Sequence, residues 1–278
     1  MKPPQAGSER PGSPGELFDL SGQVAVVTGA AGLLGETWAS VLAGAGAHLA
    51  LTDLEVDVCA ERAARLEREA GIRAVGLPCD VTRRAAWEGM LAAVQEALGS
   101  PTILVNNAAH TNRSPSPSYA AGFEDFPVEE WNRILEVNLT GAFLGCQVVG
   151  GRMAERRRGS IVNIASLYAV VSPQHRIYAG TGQSQPAAYA ASKAGVVALT
   201  RYLATLWADS GVRVNAITPG GVLAGQDERF LERYGELSPA GRMAGRHELR
   251  GALLYLASDA ASYCTGHNLV VDGGWTAW

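Results

Sequence analysis

The chain of 278 residues carries 27 acidic and 23 basic side chains, a formal charge of −4, with 18% charged and 47% hydrophobic residues. That balance excludes a disordered chain, allows a sizeable core and leaves no dominant basic surface for nucleic acid. No apolar run reaches the roughly 20 residues of a membrane helix, residues 1–16 lack the apolar stretch of a secretory signal, and the scattered Cys59, Cys79, Cys146 and Cys264 form neither a metal-ligand spacing nor a disulfide framework.

The expectation is therefore a cytoplasmic chain with reduced thiols, no membrane or nucleic-acid partner and no metal. Residues 1–16 hold four of the 13 prolines and no hydrophobic period, which predicts a flexible tail ahead of one domain over 17–278. Val24–Thr28 reads as a strand buried on both faces, and Leu33–Ala45 as the helix that follows it. Strands at Ala47–Thr52, Ile72–Leu77, Ile103–Asn106, Ser160–Ala165, Val212–Ile217 and Asn268–Val271 complete the series. Helices over Val56–Ala70, Arg83–Leu98, Val128–Arg158 (long and bent), Ala187–Asp209 and His247–Ser258 lie between them. Strands separated by helices of this length pair in parallel, since each crossover helix covers a sheet face. The fold class is α/β: a single doubly wound parallel sheet of seven strands, with ligands expected beyond the C-terminal strand ends.

After the first strand comes Gly29-Ala30-Ala31-Gly32-Leu33-Leu34-Gly35, opening a helix. Glycines let backbone N–H groups approach a pyrophosphate, and a helix N-terminus favours its charge. The second strand ends in Asp53-Leu54, roughly 20 positions further on, where a carboxylate can accept hydrogen bonds from ribose hydroxyls. It would repel a 2′-phosphate, and no arginine lies in the turn or directly after Asp53, so NAD is favoured over NADP. The plainer reading of Asp53 is a helix N-cap. Asp80-Val81 and Asn107-Ala108-Ala109 end the next two strands and could equally be ordinary turn chemistry.

The sharpest signal is Tyr189-Ala190-Ala191-Ser192-Lys193, early in a helix. A pair spaced i, i+4 shares one helix face about 5–6 Å apart at Cβ. An ammonium fixed there stabilises a phenolate and lowers its pKa, making proton transfer with a carbinol oxygen feasible. Of the 23 basic residues only Lys2 and Lys193 are lysine, so the folded body keeps its one lysine at this position.

Together with Asn106-Asn107-Ala108, Asn138 in VNLTGAF, Ser166, Pro219-Gly220-Gly221 and the C-terminal VVDGGW, these residues resemble the short-chain dehydrogenase/reductase family, in its shorter single-domain branch. The resemblance covers Leu17 to Trp278 and implies a Rossmann-type sheet in a homo-oligomer, usually a tetramer. It implies Tyr189 as general acid/base, Lys193 as its activator and ribose ligand, Ser166 on the substrate oxygen, and Asn138 holding a water that links Lys193 to solvent. It places Asp80 and Val81 at the adenine, Asn107, Ala108 and Ala109 along the adenosine, and Pro219, Gly220 and Val222 near the nicotinamide.

The chain departs from the family pattern in three places. Leu33 stands where a glycine is usual, Ala224 where a threonine is common, and Ser166 and Tyr189 are 23 residues apart, a wider spacing than usual. The extra residues fall in 168–187, where His175, Arg176 and Tyr178, with Gly221 nearby, are the candidate substrate contacts. A second stretch, 110–126, adds Asn112, Arg113 and Tyr119 at the same rim, and Gln226–Tyr234 resembles a lid. Polar side chains there suit a sugar, polyol or sugar acid. The expected function is NAD-dependent interconversion of a secondary alcohol and a ketone. The alternatives are an NADPH-dependent 3-oxoacyl-thioester reductase and a non-catalytic dinucleotide-binding regulator.

Overall fold

The computed structural model describes residues 13–114, 116 and 118–278. Its strands are β1 (Val24–Thr28), β2 (His48–Asp53), β3 (Ala74–Pro78), β4 (Ile103–Asn106), β5 (Gly159–Ile164), β6 (Val212–Pro219) and β7 (Asn268–Val271). They hydrogen-bond in the order β3-β2-β1-β4-β5-β6-β7, every pair parallel. The chain reverses direction across the sheet between β1 and β4, the switch point at which such sheets open a crevice. This is the Rossmann-type doubly wound sheet that the strand–helix alternation predicts.

The helices are α1 (Pro14–Leu17), α2 (Leu33–Gly44), α3 (Val56–Ala70), α4 (Arg84–Ala97), α5 (Val128–Glu155), α6 (Ala187–Leu206), α7 (Glu228–Leu237) and α8 (Arg250–Ala257). Alternate strand residues face opposite layers. Ala25, Val27, Leu49 and Leu51 pack on Trp38 and Leu42 of α2, Leu66 of α3 and Leu253 and Leu256 of α8. Val24, Val26, Ala50 and Leu104 pack on Trp87 and Val94 of α4, Val149 and Met153 of α5 and Leu203 of α6. Trp38 and Trp87 are fully buried on opposite faces, and burial of side chains this size stabilises by about 2–3 kcal/mol each.

Among the described residues, α5 alone has the length and composition of a membrane span. Leu144, Cys146, Val149 and Met153 along it are buried against the sheet, so here it is a core helix. Its predicted bend takes the form of two widened, π-helical turns at Glu136–Thr140 and Cys146–Gly150.

Element ends differ from expectation where local geometry intervenes. Gly71, left-handed at φ 67°, stops α3, and β3 begins at Ala74 rather than Ile72. The last helix starts at Arg250 instead of His247, because a tighter turn over Arg246–Leu249 precedes it. At the end of the predicted tail Pro14–Leu17 form one helical turn, and the Glu16 carboxylate accepts the Ser13 N–H at 2.7 Å. The remainder of the predicted tail, residues 1–12, lies outside the described residues.

Candidate active site

A cleft of about 810 Å³ runs along the C-terminal strand ends across the switch point. One end begins at the turn after β1. Gly29 takes φ 63°, and a Cβ there would sit 2.7 Å from the Ala108 Cα, so only glycine lets the turn close on the end of β4. A Cβ on Gly35 would run into the Gly29 carbonyl, so Gly35 packs beneath the turn and does not line the cleft. Gly32, Leu33 and Leu34 do line it. They open the first turn of α2, whose N–H groups have no partner within the helix. Leu33 in place of glycine leaves this cradle open, since its backbone carries the donor.

Asp53 ends β2 beside the turn. Its Oδ2 accepts the Ala31 N–H at 2.9 Å and its Oδ1 the Leu54 N–H at 2.7 Å. It is not the N-cap of α3; that position belongs to Glu55. Asp53, Leu54, Asp80, Val81, Ala108 and Ala109 all line this end of the cleft. Asn107 lines it too, but its amide serves the fold. Its Oδ1 accepts from the Trp38 indole at 2.9 Å, and its Nδ2 donates to the carbonyls of Thr28 at 2.8 Å and Gly29 at 3.1 Å.

At the centre, the end of β5 and the start of α6 bring Ser166, Tyr189 and Lys193 to one wall. Lys193 is buried, its Nζ donates to the Ile164 carbonyl at 2.8 Å, and it stands 5.7 Å from the centre of the Tyr189 ring. Burial pushes Lys193 down to about 8. Burial also raises the Tyr189 phenol above its ordinary value, opposed by hydrogen bonding from the Ser166 hydroxyl. The Tyr189 phenol thus sits above, not below, its ordinary value, with desolvation as the first cause. Asn138 sits in the first widened turn of α5, behind the wall. Its Oδ1 accepts the His110 N–H at 2.6 Å, and its Nδ2 donates to the His110 carbonyl and the Ser192 hydroxyl.

Pro219 at the end of β6 and Gly220, Gly221 and Val222 after it also line the cleft. The Gly221 N–H donates to the Tyr234 hydroxyl at 2.7 Å, which ties helix α7, the predicted lid, to this loop. Tyr234 stacks on Trp275 at 4.4 Å, so Trp275 packs inside its own chain; only Trp278 is left exposed.

The 168–187 segment contributes Tyr168, Tyr178, Gln183 and Gln185 to the cleft but does not present all the side chains expected. His175 and Arg176 are exposed and do not line the cleft, because the tight turn His175–Tyr178 directs Ile177 and Tyr178 inward. Tyr178 lines the cleft, its hydroxyl 2.7 Å from that of Tyr168, and contacts Phe230 of α7. Burial pushes the Tyr178 phenol up to about 12, keeping it protonated at neutral pH. Asn112 and Arg113 reach the rim, and Arg113 bridges to the Ala224 carbonyl at 3.3 Å. Tyr119 is buried behind the wall against Ile134 and Ala188. Sequence reasoning missed Gln185, Met243, Glu36, Arg62 and Arg246, all on the cleft. Gln185 lay inside the segment already singled out, whereas the other four had no local signal.

A glycine-turn cradle at one end of a Rossmann-type cleft and a Ser–Tyr–Lys wall at its centre define an oxidoreductase of hydroxyl and keto groups that uses a nicotinamide dinucleotide. The family profile described as enoyl-(acyl carrier protein) reductase matches residues 29–276. The chain is 38% identical over 264 residues to the D-threitol dehydrogenase of Mycolicibacterium smegmatis, covering 93% of this chain and 95% of that one. It is 34% identical to the NAD-dependent glycerol dehydrogenase of Listeria innocua, covering 93% and 96%. A solved structure of gluconate 5-dehydrogenase from Burkholderia cenocepacia, in complex with NADP and tartrate, superposes with a TM-score of 0.84 at 31% identity, covering 95% and 99%. The chain belongs to the short-chain dehydrogenase/reductase family.

Proposed function

We propose that this chain is an NAD-dependent dehydrogenase interconverting a secondary alcohol and a ketone on a polyol, sugar or sugar acid. The observation that carries the reading is the convergence of Ser166, Tyr189 and Lys193 in a cleft whose far end offers Asp53 beside a glycine turn. When bound, the nicotinamide accepts the hydride. In the oxidising direction Tyr189, as phenolate, takes the carbinol proton while the Ser166 hydroxyl donates to the same substrate oxygen. Lys193, held on the Ile164 carbonyl, offsets the phenolate charge from the same helix face. Asn138 holds the loop at His110 and Ser192 next to Tyr189, and we assign it the water that links Lys193 to solvent.

The Oδ1 of Asp53 accepts the N–H groups of Leu54 and Glu55 and its Oδ2 that of Ala31, which leaves acceptor capacity on Oδ2 for a ribose hydroxyl. Its charge disfavours a 2′-phosphate, which supports NAD. Gly29, Gly32, Leu33 and Leu34 would cradle the pyrophosphate, with Gly35 shaping the turn from beneath. Tyr178, Tyr168 and Gln185 offer hydroxyl and amide partners at the substrate end, which supports a polyhydroxylated compound. The names of the threitol and glycerol dehydrogenases point the same way. Exposed Phe143, Tyr202 and Leu206 on α5 and α6 support a homo-oligomer, with a tetramer as the expected form, and free buried cysteines suit the reducing cytoplasm.

The test is the rate of reduced-nicotinamide formation by the purified chain with NAD or NADP, against tetritols, glycerol and aldonates, alongside 3-oxoacyl-thioester reduction. Turnover of a polyhydroxylated compound with NAD is expected. Activity confined to NADPH and 3-oxoacyl thioesters would replace this reading with the reductase alternative.

A further inference from the structure

Asp53 is not the only charge at the adenosine end of the cleft. Glu36, in the first turn of α2, lies 3.8 Å from Arg62 of α3 and 3.5 Å from Arg246, which precedes α8. It also accepts from Arg65 at 3.1 Å, although Arg65 faces away from the cleft toward Glu69. Arg62 donates from the same nitrogen to the carbonyls of Ala30 and Gly32, within the turn whose Ala31 N–H is held by Asp53. Helices α2 and α3 and the turn before α8 thus deliver ionic side chains to the rim of one short turn. Burial pushes the Glu36 carboxyl up, but hydrogen bonding from Arg65 and the charges of Arg62, Arg65 and Arg246 outweigh it and hold the group ionised.

At this end of the cleft two guanidinium groups, Arg62 and Arg246, face three carboxylates, Glu36, Asp53 and Asp80. Without Glu36 the balance would move one unit toward positive: Arg246 would lose its partner at 3.5 Å and could turn toward an anion, and Arg62, kept at the turn by the Ala30 and Gly32 carbonyls, would lose the carboxylate 3.8 Å away. A phosphate monoester bears roughly −1.5 to −2 at neutral pH and would gain most from that change. A ribose 2′-hydroxyl would gain little.

We propose that Glu36 is a cofactor-selectivity residue: by engaging Arg246 and offsetting the charge of Arg62 it keeps the rim from attracting a ribose 2′-phosphate and adds to Asp53 in favouring NAD over NADP. The inference rests on the NAD reading above. It also explains why the rim can hold two arginines without being a phosphate site.

The test measures dissociation constants of NADH and NADPH for the full chain by reduced-nicotinamide fluorescence, with no substrate present. Glu36→Gln should tighten NADPH about tenfold while NADH stays within about twofold, the size expected for one unit charge a few ångströms from a phosphate. Adding Arg62→Ala to Glu36→Gln should reverse most of that gain. Arg246→Gln alone should move the ratio the other way, weakening NADPH by about threefold, because Glu36 is then less neutralised. A folded Glu36→Gln chain with an unchanged NADPH/NADH ratio overturns the proposal, as does an equal loss of both cofactors, the mark of a merely structural role. Should Glu36→Gln fail to fold, an unchanged ratio in Arg246→Gln overturns it instead. If the unaltered chain prefers NADPH, the NAD reading falls, while the direction of the Glu36→Gln shift still decides the role of Glu36.

Discussion

At the adenosine end of the cleft the walls are strand termini and a glycine turn, whereas at the substrate end they are long side chains from the 168–187 segment and helix α7. The first end is fixed by backbone geometry. Gly29 fits against Ala108, and the Asn107 amide spends its hydrogen bonds on Trp38, Thr28 and Gly29. The second end is held by side-chain packing: Tyr178 on Phe230, Tyr234 on Trp275, Tyr234 on the Gly221 N–H. A rigid end suits a cofactor whose shape never varies. An end carried on loops can change its partners without disturbing the sheet, which is where substrate choice is expected to reside.

Five substitutions sharpen that contrast, from the strongest effect to the weakest. Tyr189→Phe should lower kcat by at least about 10³-fold, the scale of a lost acid/base group, with NADH affinity preserved in a fluorescence titration. A fully active variant would remove Tyr189 from the chemistry. Lys193→Met tests the burial of the ammonium through stability. The folded chain holds Lys193 at about 8, below its ordinary 10.5, so the folded state binds fewer protons than the unfolded one between those values. Burial of the charged form costs about 3 kcal/mol below pH 8, partly offset by the bond to Ile164. That cost fades as pH rises from 8 to 10.5. Denaturant melts should therefore show wild type gaining on Lys193→Met across that range, and a constant difference would contradict the assignment.

Asp53→Ala should weaken NADH about tenfold, as expected for losing charged hydrogen bonds, and narrow its lead over NADPH; an unchanged ratio would take Asp53 out of the site. At the substrate end, Tyr178→Phe should raise the KM for a polyol several-fold, within the range of a single neutral hydrogen bond. His175→Ala, altering an exposed side chain outside the cleft, should leave both kcat and KM unchanged. Equal effects from the two would erase the distinction between inward and outward faces of the segment.

The same contrast explains what could be read from the chain alone. Tyr189 and Lys193 were legible because four residues of helix fix their relation, and Asp53 because a strand end fixes its place beside the glycine turn. The seven strands and their parallel pairing followed from alternation of strand and helix. His175 and Arg176 misled because the tight turn at 175–178 has no sequence period to reveal which side chains face inward; Ile177 and Tyr178 take the interior while His175 and Arg176 take the solvent. Gln185 stood one residue before Pro186 with no pattern to mark it, yet it is buried on the cleft. Glu36 and Arg246 are 210 positions apart and meet only because α2 and the turn before α8 converge. Contacts of that range carry no local signature.

The most direct test of the account uses a polyol deuterated at its carbinol carbons, incubated with NAD and the purified chain, with the reduced cofactor examined by mass spectrometry. The account predicts that deuterium appears in the nicotinamide, that the polyol becomes a ketone, and that Tyr189→Phe suppresses both. Binding of NAD with no deuterium transferred from any polyhydroxylated alcohol would contradict it.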